Sequence, residues 1–368
     1  MQNSIDTITA SQSNRFIIAA QFPLGVLSVA RVAVNAAGHD GWMVLILGGL
    51  LIIISKLIIS LLCRRFGGAS ILDIDRQLFG KYIGTFLNLL WIAYLIFASI
   101  ANFTFFLISM KLWFFKYTPS LLVAILLISP TIILVSKGLK NICRFDVILY
   151  IMLFITALLL IYGSTKLRVT MLLPVGEAGP LTILNGLKLI SFTYMGFELL
   201  LFIYPYISNK KDLTKYIWVS GALITSFFTF TSIVTICVFG TQYTSLSLYP
   251  ITSLAKLVKF PIFERIDLYY YASWIPGMIL CTNSYVFCTC DSIRKIFKIK
   301  KPLWVILVIS LILIISSVMV KSVDIAENLG NFGGSMSYGA GIATPVIILL
   351  ISLILKKGGA KARKKCEP

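Results

Sequence analysis

One acidic residue, Glu198, stands inside a long apolar run over residues 183–207, behind the Pro/Gly-rich stretch LLPVGEAGP (172–180). An unpaired charge at hydrocarbon depth costs about 3 kcal/mol, so such a group faces a cavity or a partner. The run reads Tyr194-Met195-Gly196-Phe197-Glu198, and Gly196 weakens the helix two residues before the carboxylate. Three partners suit Glu198: a ligand ammonium, a basic side chain or a proton. Unwinding at Gly196 would aim Tyr194 and Phe197 into the same cavity. A second interruption, Phe22-Pro23-Leu24-Gly25-Val26, breaks the first apolar run. Proline removes a backbone donor and glycine tolerates unwound backbone. The exposed N-terminus of the second half-helix suits a ligand carboxylate; an ordinary proline kink accounts for the same residues. A third polar group, Cys281-Thr282-Asn283, suits an ion or a ligand, and interhelical hydrogen bonding explains it almost as well.

Other chemistry is not indicated. The seven cysteines form no metal or disulfide framework, and Cys288-x-Cys290 lacks the second half of a zinc site. His39 is the only histidine. No nucleophile–base arrangement, phosphate loop or metal spacing is present, so no catalytic residue, metal or cofactor is assigned and an enzyme is not expected.

The elements that must hold these residues are membrane helices. The chain is 58% hydrophobic and 13% charged, with a mean hydropathy of +0.93; soluble domains carry about 25% charged residues. A span needs about 20 apolar residues. Ten segments qualify: 14–36, 41–63, 84–109, 118–136, 144–164, 183–207, 214–240, 268–290, 302–320 and 336–355. The first has no cleavage site and is expected to stay as a membrane helix.

The net charge of +19 would suggest nucleic acid in a soluble protein. Here the basic residues sit in short loops and in the tail over 356–368, so no nucleic-acid partner is expected. With the N-terminus inside, the inner loops and tail hold more than twice as many Lys and Arg as the outer loops, and both termini are expected to be cytoplasmic. The outer set includes Lys111, Lys116 and Lys321. The tail suits anionic lipid. Lys56 is read as snorkelling to the inner surface, and Arg31 and Lys188 as lying toward the outer one. Residues 64–83 and 241–267 have apolar residues at helical spacing and read as interfacial helices. Each follows the second span of a five-span half, one inside and one outside. Residues 14–164 and 183–355 are therefore read as inverted halves, each opening with a broken helix, with binding at their midplane.

Several motifs in order carry a resemblance to a family. Leu24-Gly25 is followed by Arg31, and Gly41-Trp42 opens span two. Gly80-Lys81-Tyr82-Ile83-Gly84 precedes span three, and Gly138-Leu139 leads to Arg144. LLPVGEAGP runs to MGFELLLF (172–202), and Tyr249-Pro250-Ile251-Thr252 and Phe263-Glu264-Arg265-Ile266 follow. With these the chain resembles the spore germinant-receptor B subunits, spore germination permeases of the amino acid–polyamine–organocation superfamily. That family usually has a proline just before the arginine, where this chain has Ala30.

The resemblance implies an all-α, amino-acid-permease-like fold of ten transmembrane helices with helices 1 and 6 broken. It implies a nutrient sensor of the spore inner membrane, working with an A subunit and a C lipoprotein subunit and triggered by a small germinant such as an amino acid. The third helix lines the pocket in such folds, which adds Tyr94 and Ala98, one turn apart on one face. The expected ligand-binding set is Phe22, Leu24, Gly25, Val26, Tyr94, Ala98, Tyr194, Gly196, Phe197, Glu198 and Cys281. Arg31 matches a family position and is expected to act as a structural or gating residue. The alternatives are a proton-coupled amino-acid transporter and a ligand-opened channel.

Overall fold

The computed structural model describes residues 7–258 and 265–358. Residues 359–368 of the basic tail and Phe263-Glu264 lie outside the described residues. The described chain is helical, apart from one isolated bridge between Ile8 and Ile207. Its helices are α1 (Ala10–Gly25), α2 (Val29–Ala37), α3 (Gly41–Arg65), α4 (Ile71–Trp113), α5 (Ser120–Ser136), α6 (Leu139–Phe145), α7 (Leu149–Ser164) and α8 (Gly179–Leu189). They are followed by α9 (Leu200–Ile203), α10 (Leu213–Leu246), α11 (Pro250–Leu257), α12 (Ile266–Phe297), α13 (Pro302–Met319), α14 (Val323–Tyr338) and α15 (Thr344–Ile354). All-helical structure follows from the apolar composition, because in lipid each backbone donor and acceptor must be satisfied internally.

Among the described residues six helical stretches are long and apolar enough to cross a membrane: Val29–Arg65, Ile71–Trp113, Leu139–Ser164, Leu213–Leu246, Pro302–Met319 and Val323–Ile354. The remaining segments of the sequence reading are short, interrupted or polar. Backbone irregularity accounts for two of them, 14–36 and 183–207. α1 ends at Gly25 and α2 starts at Val29. α8 ends at Leu189, and only short helical pieces cover 197–206. α14 continues through a π-helical segment, Gly339–Ala343, into α15.

The last segment begins earlier than its hydropathy suggested. Residues 336–355 were the expected span, but the helix starts at Val323, where Ser322 caps it by accepting from the Asp324 N–H at 3.2 Å. The glycines that dilute its hydropathy allow close packing: a Cβ at Gly334 would lie 2.3 Å from the Phe192 nitrogen.

Capping sets other boundaries. Thr9 and Gln12 form a reciprocal capping box at the start of α1. Ser70 caps α4. Within α4 the backbone turns at Gly80 (φ 81), separating residues 71–79 from the long helix after it. That first part folds back on the second. Trp91 Nε1 donates to Asp75 at 3.0 Å, and Asn88 donates to the Leu72 carbonyl at 3.0 Å. The second amphipathic stretch contributes α11, which packs on α10 and α12.

α3 and α2 pack on α10, α4 packs on α12 and α14, and α1 lies between α12 and α10. The interrupted first segment is thus enclosed on both sides. The turn between α2 and α3 is fastened to the loop before α8 by one side chain. The buried Asp40 carboxylate accepts from the Gly176 N–H at 2.8 Å and the Ala178 N–H at 2.9 Å. Asp40→Ala is expected to lower stability by about 2 kcal/mol, because hydrogen bonds to a charged acceptor are the stronger kind. Asp40→Asn should cost less. Thermal melts in detergent, with hydrogen exchange over 174–180, check this; unchanged exchange in Asp40→Ala would rule out the tether.

Candidate functional site

The two backbone interruptions touch each other. A Cβ at Gly25 would lie 2.6 Å from the Thr193 carbonyl oxygen and 2.7 Å from the Phe228 ring. A Cβ at Gly196 would lie 3.0 Å from Ala20. Gly196 also has φ 118, which side-chain-bearing residues rarely adopt. Each glycine therefore allows one interruption to approach the other.

Interruptions release backbone groups that need partners in a dry interior. On the α1 side two α12 side chains bond to backbone carbonyls at or near the break. Trp274 Nε1 donates to the Pro23 carbonyl at 2.7 Å, and Cys281 Sγ donates to the Ala20 carbonyl at 2.9 Å. Asn102 Nδ2 in turn donates to Cys281 Sγ at 2.9 Å. On the other side Gln21 Nε2 donates to the Tyr194 carbonyl at 2.7 Å, and the Tyr194 hydroxyl donates to the Leu45 carbonyl at 2.8 Å.

Glu198 is fully buried. One carboxylate oxygen accepts from the Tyr94 hydroxyl at 2.6 Å and the Tyr285 hydroxyl at 2.9 Å. The other accepts from the Ser337 hydroxyl at 2.8 Å and the Gly196 N–H at 2.9 Å. Four donors, from α4, α12, α14 and its own turn, thus bond to the two carboxyl oxygens. Of the partners considered from sequence, no basic side chain bonds to Glu198 among the described residues. In this conformation a ligand ammonium would have to displace one of these donors.

The remaining candidates divide by where they point. Tyr94 reaches Glu198, and Ala98 is buried one turn further along α4. Asn102 is on the next turn of the same face and was missed. Its Oδ1 is buried without a hydrogen-bond partner, as are both amide atoms of Asn283. Phe22 packs on Phe227 and Phe228, at 5.4 and 5.8 Å between ring centroids, and so faces α10. Phe197 meets Tyr338 at 6.4 Å and lies over Gly341, where a Cβ would come within 2.3 Å of its ring. Leu24 and Val26 are buried in the core.

Tyr285, one turn after Cys281, was legible as an i, i+4 continuation of that polar face. Ser337 and Gly341 carried no comparable signal.

Lys56 corrects a sequence expectation. It does not snorkel. It is buried, with Nζ 3.2 Å from the Ser220 hydroxyl and 3.5 Å from Gln21 Oε1. Gln21 thereby links Lys56 to the Tyr194 carbonyl. The reason is position: Lys56 lies on the face of α3 that packs on α10, not on a lipid-facing one.

At one end of the site Arg31 pairs with Glu327 of α14. The pair borders a cavity of about 150 Å³ that also touches Ser28, Asn35, Phe192 and Asn331. Phe192 and Phe105 meet edge-to-face beneath it, at 5.6 Å. The sequence left the carboxylate partner of Arg31 unidentified because Glu327 fell outside the expected last span. At the other end, the Tyr206 hydroxyl donates to Asp291 at 2.7 Å, and Lys295 pairs with the same carboxylate at 2.9 Å.

Removing one partner from a buried, satisfied network leaves the others unpaired, which costs more than the lost bond. Glu198→Gln should destabilise the protein by about 2 kcal/mol, and Tyr94→Phe and Tyr285→Phe by about 1 kcal/mol each. Tyr94→Phe combined with Glu198→Gln should cost less than the sum. Additive melts would separate Tyr94 from Glu198 energetically and contradict the network.

Comparison with known proteins bears on the family and the fold. Residues 7–325 match the family model Spore_permease, described as spore germination protein. Spore germination protein YndE of Bacillus subtilis (strain 168) is 25% identical over 95% of this chain and 98% of its own length. GerQB of Bacillus cereus is 22% identical over 88% of this chain and 89% of its own length. Among solved structures, MhsT in complex with L-phenylalanine superposes with a TM-score of 0.67 at 14% identity, over 95% of this chain and 99% of that one. A manganese transporter from Eremococcus coleocola gives 0.64 at 14% identity, over 100% of this chain and 85% of that one. These two likenesses establish a transporter-like fold. The family match covers most of the chain, and this protein belongs to the spore germination permease family, with a permease-like role in germination.

Proposed function

We propose that this chain is the nutrient-sensing, permease-like subunit of a spore germinant receptor. It binds a small germinant such as an amino acid between the two interruptions and the helices around them. The observation that carries this reading is the contact of the two interruptions, Gly25 on Thr193 and Gly196 on Ala20, with the Gly196 N–H bonded to a Glu198 carboxylate that three other helices also reach. In this reading the chain crosses the membrane ten times as two inverted five-helix halves, 14–164 and 183–355, with broken helices 1 and 6. Both termini are cytoplasmic, and the membrane is the spore inner membrane. An A subunit and a C lipoprotein subunit read its conformation.

A germinant carboxylate would meet the first N–H groups of α2, which have no partner within that helix. Its ammonium would meet carbonyls of the turn before Gly196, or Glu198 once one of its four donors is displaced. The L-phenylalanine carried by the related MhsT fold supports an amino acid as the ligand class. Binding shifts the bundle only by its differential affinity for two states. The Arg31–Glu327 pair would be one element that differs between them, closing the end away from the basic loops.

A proton-coupled amino-acid transporter is the second reading. It is favoured by two buried titratable groups, Lys56 and Glu198, tied to the same turn through Gln21 and Gly196. Uptake into proteoliposomes separates the two: saturable, concentrative accumulation of a labelled amino acid selects the transporter.

Gly25→Leu is expected to abolish the germinant response while the protein remains in the membrane at normal level, because the added side chain enters the Thr193 backbone. A germinant panel on spores of a deletion strain, complemented with each variant, measures this; a normal dose–response would remove the assignment. Arg31→Ala and Glu327→Ala should each shift the dose–response by about tenfold, and Arg31→Glu with Glu327→Arg should recover most of the loss. No recovery in the swapped protein would mean that the two residues do not act as a pair.

A further inference from the structure

Three lysines far apart in sequence meet around one cavity. Lys111 is at the end of α4, Lys116 is in the turn before α5, and Lys321 is in the turn between α13 and α14. All three border a cavity of about 670 Å³. They belong to the minority of basic residues on the side opposite the Lys/Arg-rich loops, so topology alone does not explain their presence.

The cavity joins two chemistries. Its walls are apolar, with Leu112, Leu121 and Val318 among them, and no Asp or Glu borders it. The apolar side is open to the lipid-facing surface: Leu112 is 41% exposed, Leu121 50% and the adjacent Met319 76%. On the cationic side one lysine is held by the backbone. Lys111 Nζ donates to the Thr118 carbonyl, and Lys116 Nζ sits 5.8 Å from the Tyr117 ring centroid. Among the described residues no carboxylate is within ion-pair distance of any of the three. A volume of this size takes a headgroup and the first part of its chains. Clustered lysines at the end of membrane helices attract anionic headgroups.

We propose that this cavity is a binding site for one anionic diacyl phospholipid, with its phosphate against Lys111, Lys116 and Lys321 and an acyl chain along the Leu112–Leu121 wall. A free phosphate would use the lysines and leave the wall empty. A zwitterionic lipid would use the wall and gain little from three uncompensated charges. Both features together select a lipid of net negative charge.

The test is native mass spectrometry of the full-length protein, released from mixed micelles holding equal amounts of phosphatidylglycerol and phosphatidylcholine with the same chains. The wild type should retain one phosphatidylglycerol in preference to phosphatidylcholine. The triple variant Lys111→Gln, Lys116→Gln, Lys321→Gln should lose that preference by about tenfold or more. The corresponding triple arginine variant should keep it, because charge rather than the ammonium is what the headgroup needs. Lys116 and Lys321 are exposed and Lys111 is half-buried with its ammonium on the Thr118 carbonyl, so elution should be unchanged in both variants and melting lowered only slightly in the glutamine one. Equal retention of the two lipids by the wild type, or an undiminished preference in the glutamine variant, would overturn the assignment. Soluble glycerol phosphate displacing the lipid at equal concentration would also overturn it, because the apolar wall would then contribute nothing.

Discussion

A buried carboxylate that has no counter-cation among the described residues is the constraint on which the rest of the bundle depends. Glu198 sits in a dry interior, where an unsatisfied charge is costly. Its four acceptor positions are met by Tyr94, Tyr285, Ser337 and the Gly196 N–H. Those donors come from three separate helices and from the turn itself. One carboxylate therefore fixes the mutual positions of α4, α12, α14 and the interruption after α8. Displacement of that turn relative to these helices must break one of these bonds or carry the helices along.

The second constraint is the backbone that the interruptions expose. The turn after Gly25 leaves the Pro23 carbonyl without a helical donor, and α12 answers with Trp274, while Cys281 of the same helix adds a bond to the Ala20 carbonyl. The turn before Gly196 is held by Gln21 from the opposite interruption. Because Gly25 and Gly196 have no side chains, these partners approach closely enough for the bonds to form. Packing and hydrogen bonding are thus one device: the glycines bring the breaks together, and the polar side chains make that approach tolerable in lipid. The Arg31–Glu327 pair at one end and the Tyr206–Asp291 contact at the other enclose this assembly.

Particular residues show how much of the site could be read in advance. Glu198 stood out because a charge in an apolar run has few explanations. Gly25 and Gly196 followed from the same logic, as helix-weakening residues beside polar ones. Tyr94 entered through the family resemblance, and its helix face continues to Asn102, which was not followed. Lys56 and Phe22 were misjudged or underdetermined for one reason: hydropathy reports how apolar a segment is, not which neighbour each face meets. Lys56 faces α10 and Gln21 instead of the membrane surface, and Phe22 faces Phe227 and Phe228. Glu327 was hidden by the glycines around it, which lowered the apparent hydropathy of a helix that begins at Val323.

By itself the sequence determined that this is a helical membrane protein of the spore germination permease type, and that its polar weak points are at Pro23–Gly25 and Gly196–Glu198. Composition and periodicity are local properties, and so they survive without a structure. Only the tertiary fold decided which groups meet. It placed Tyr285 and Ser337 on Glu198, Glu327 on Arg31, Gln21 on the Tyr194 carbonyl and three distant lysines around one cavity. The physical reason is that a partner across helices is chosen by packing geometry, whereas sequence spacing relates only residues on the same helix.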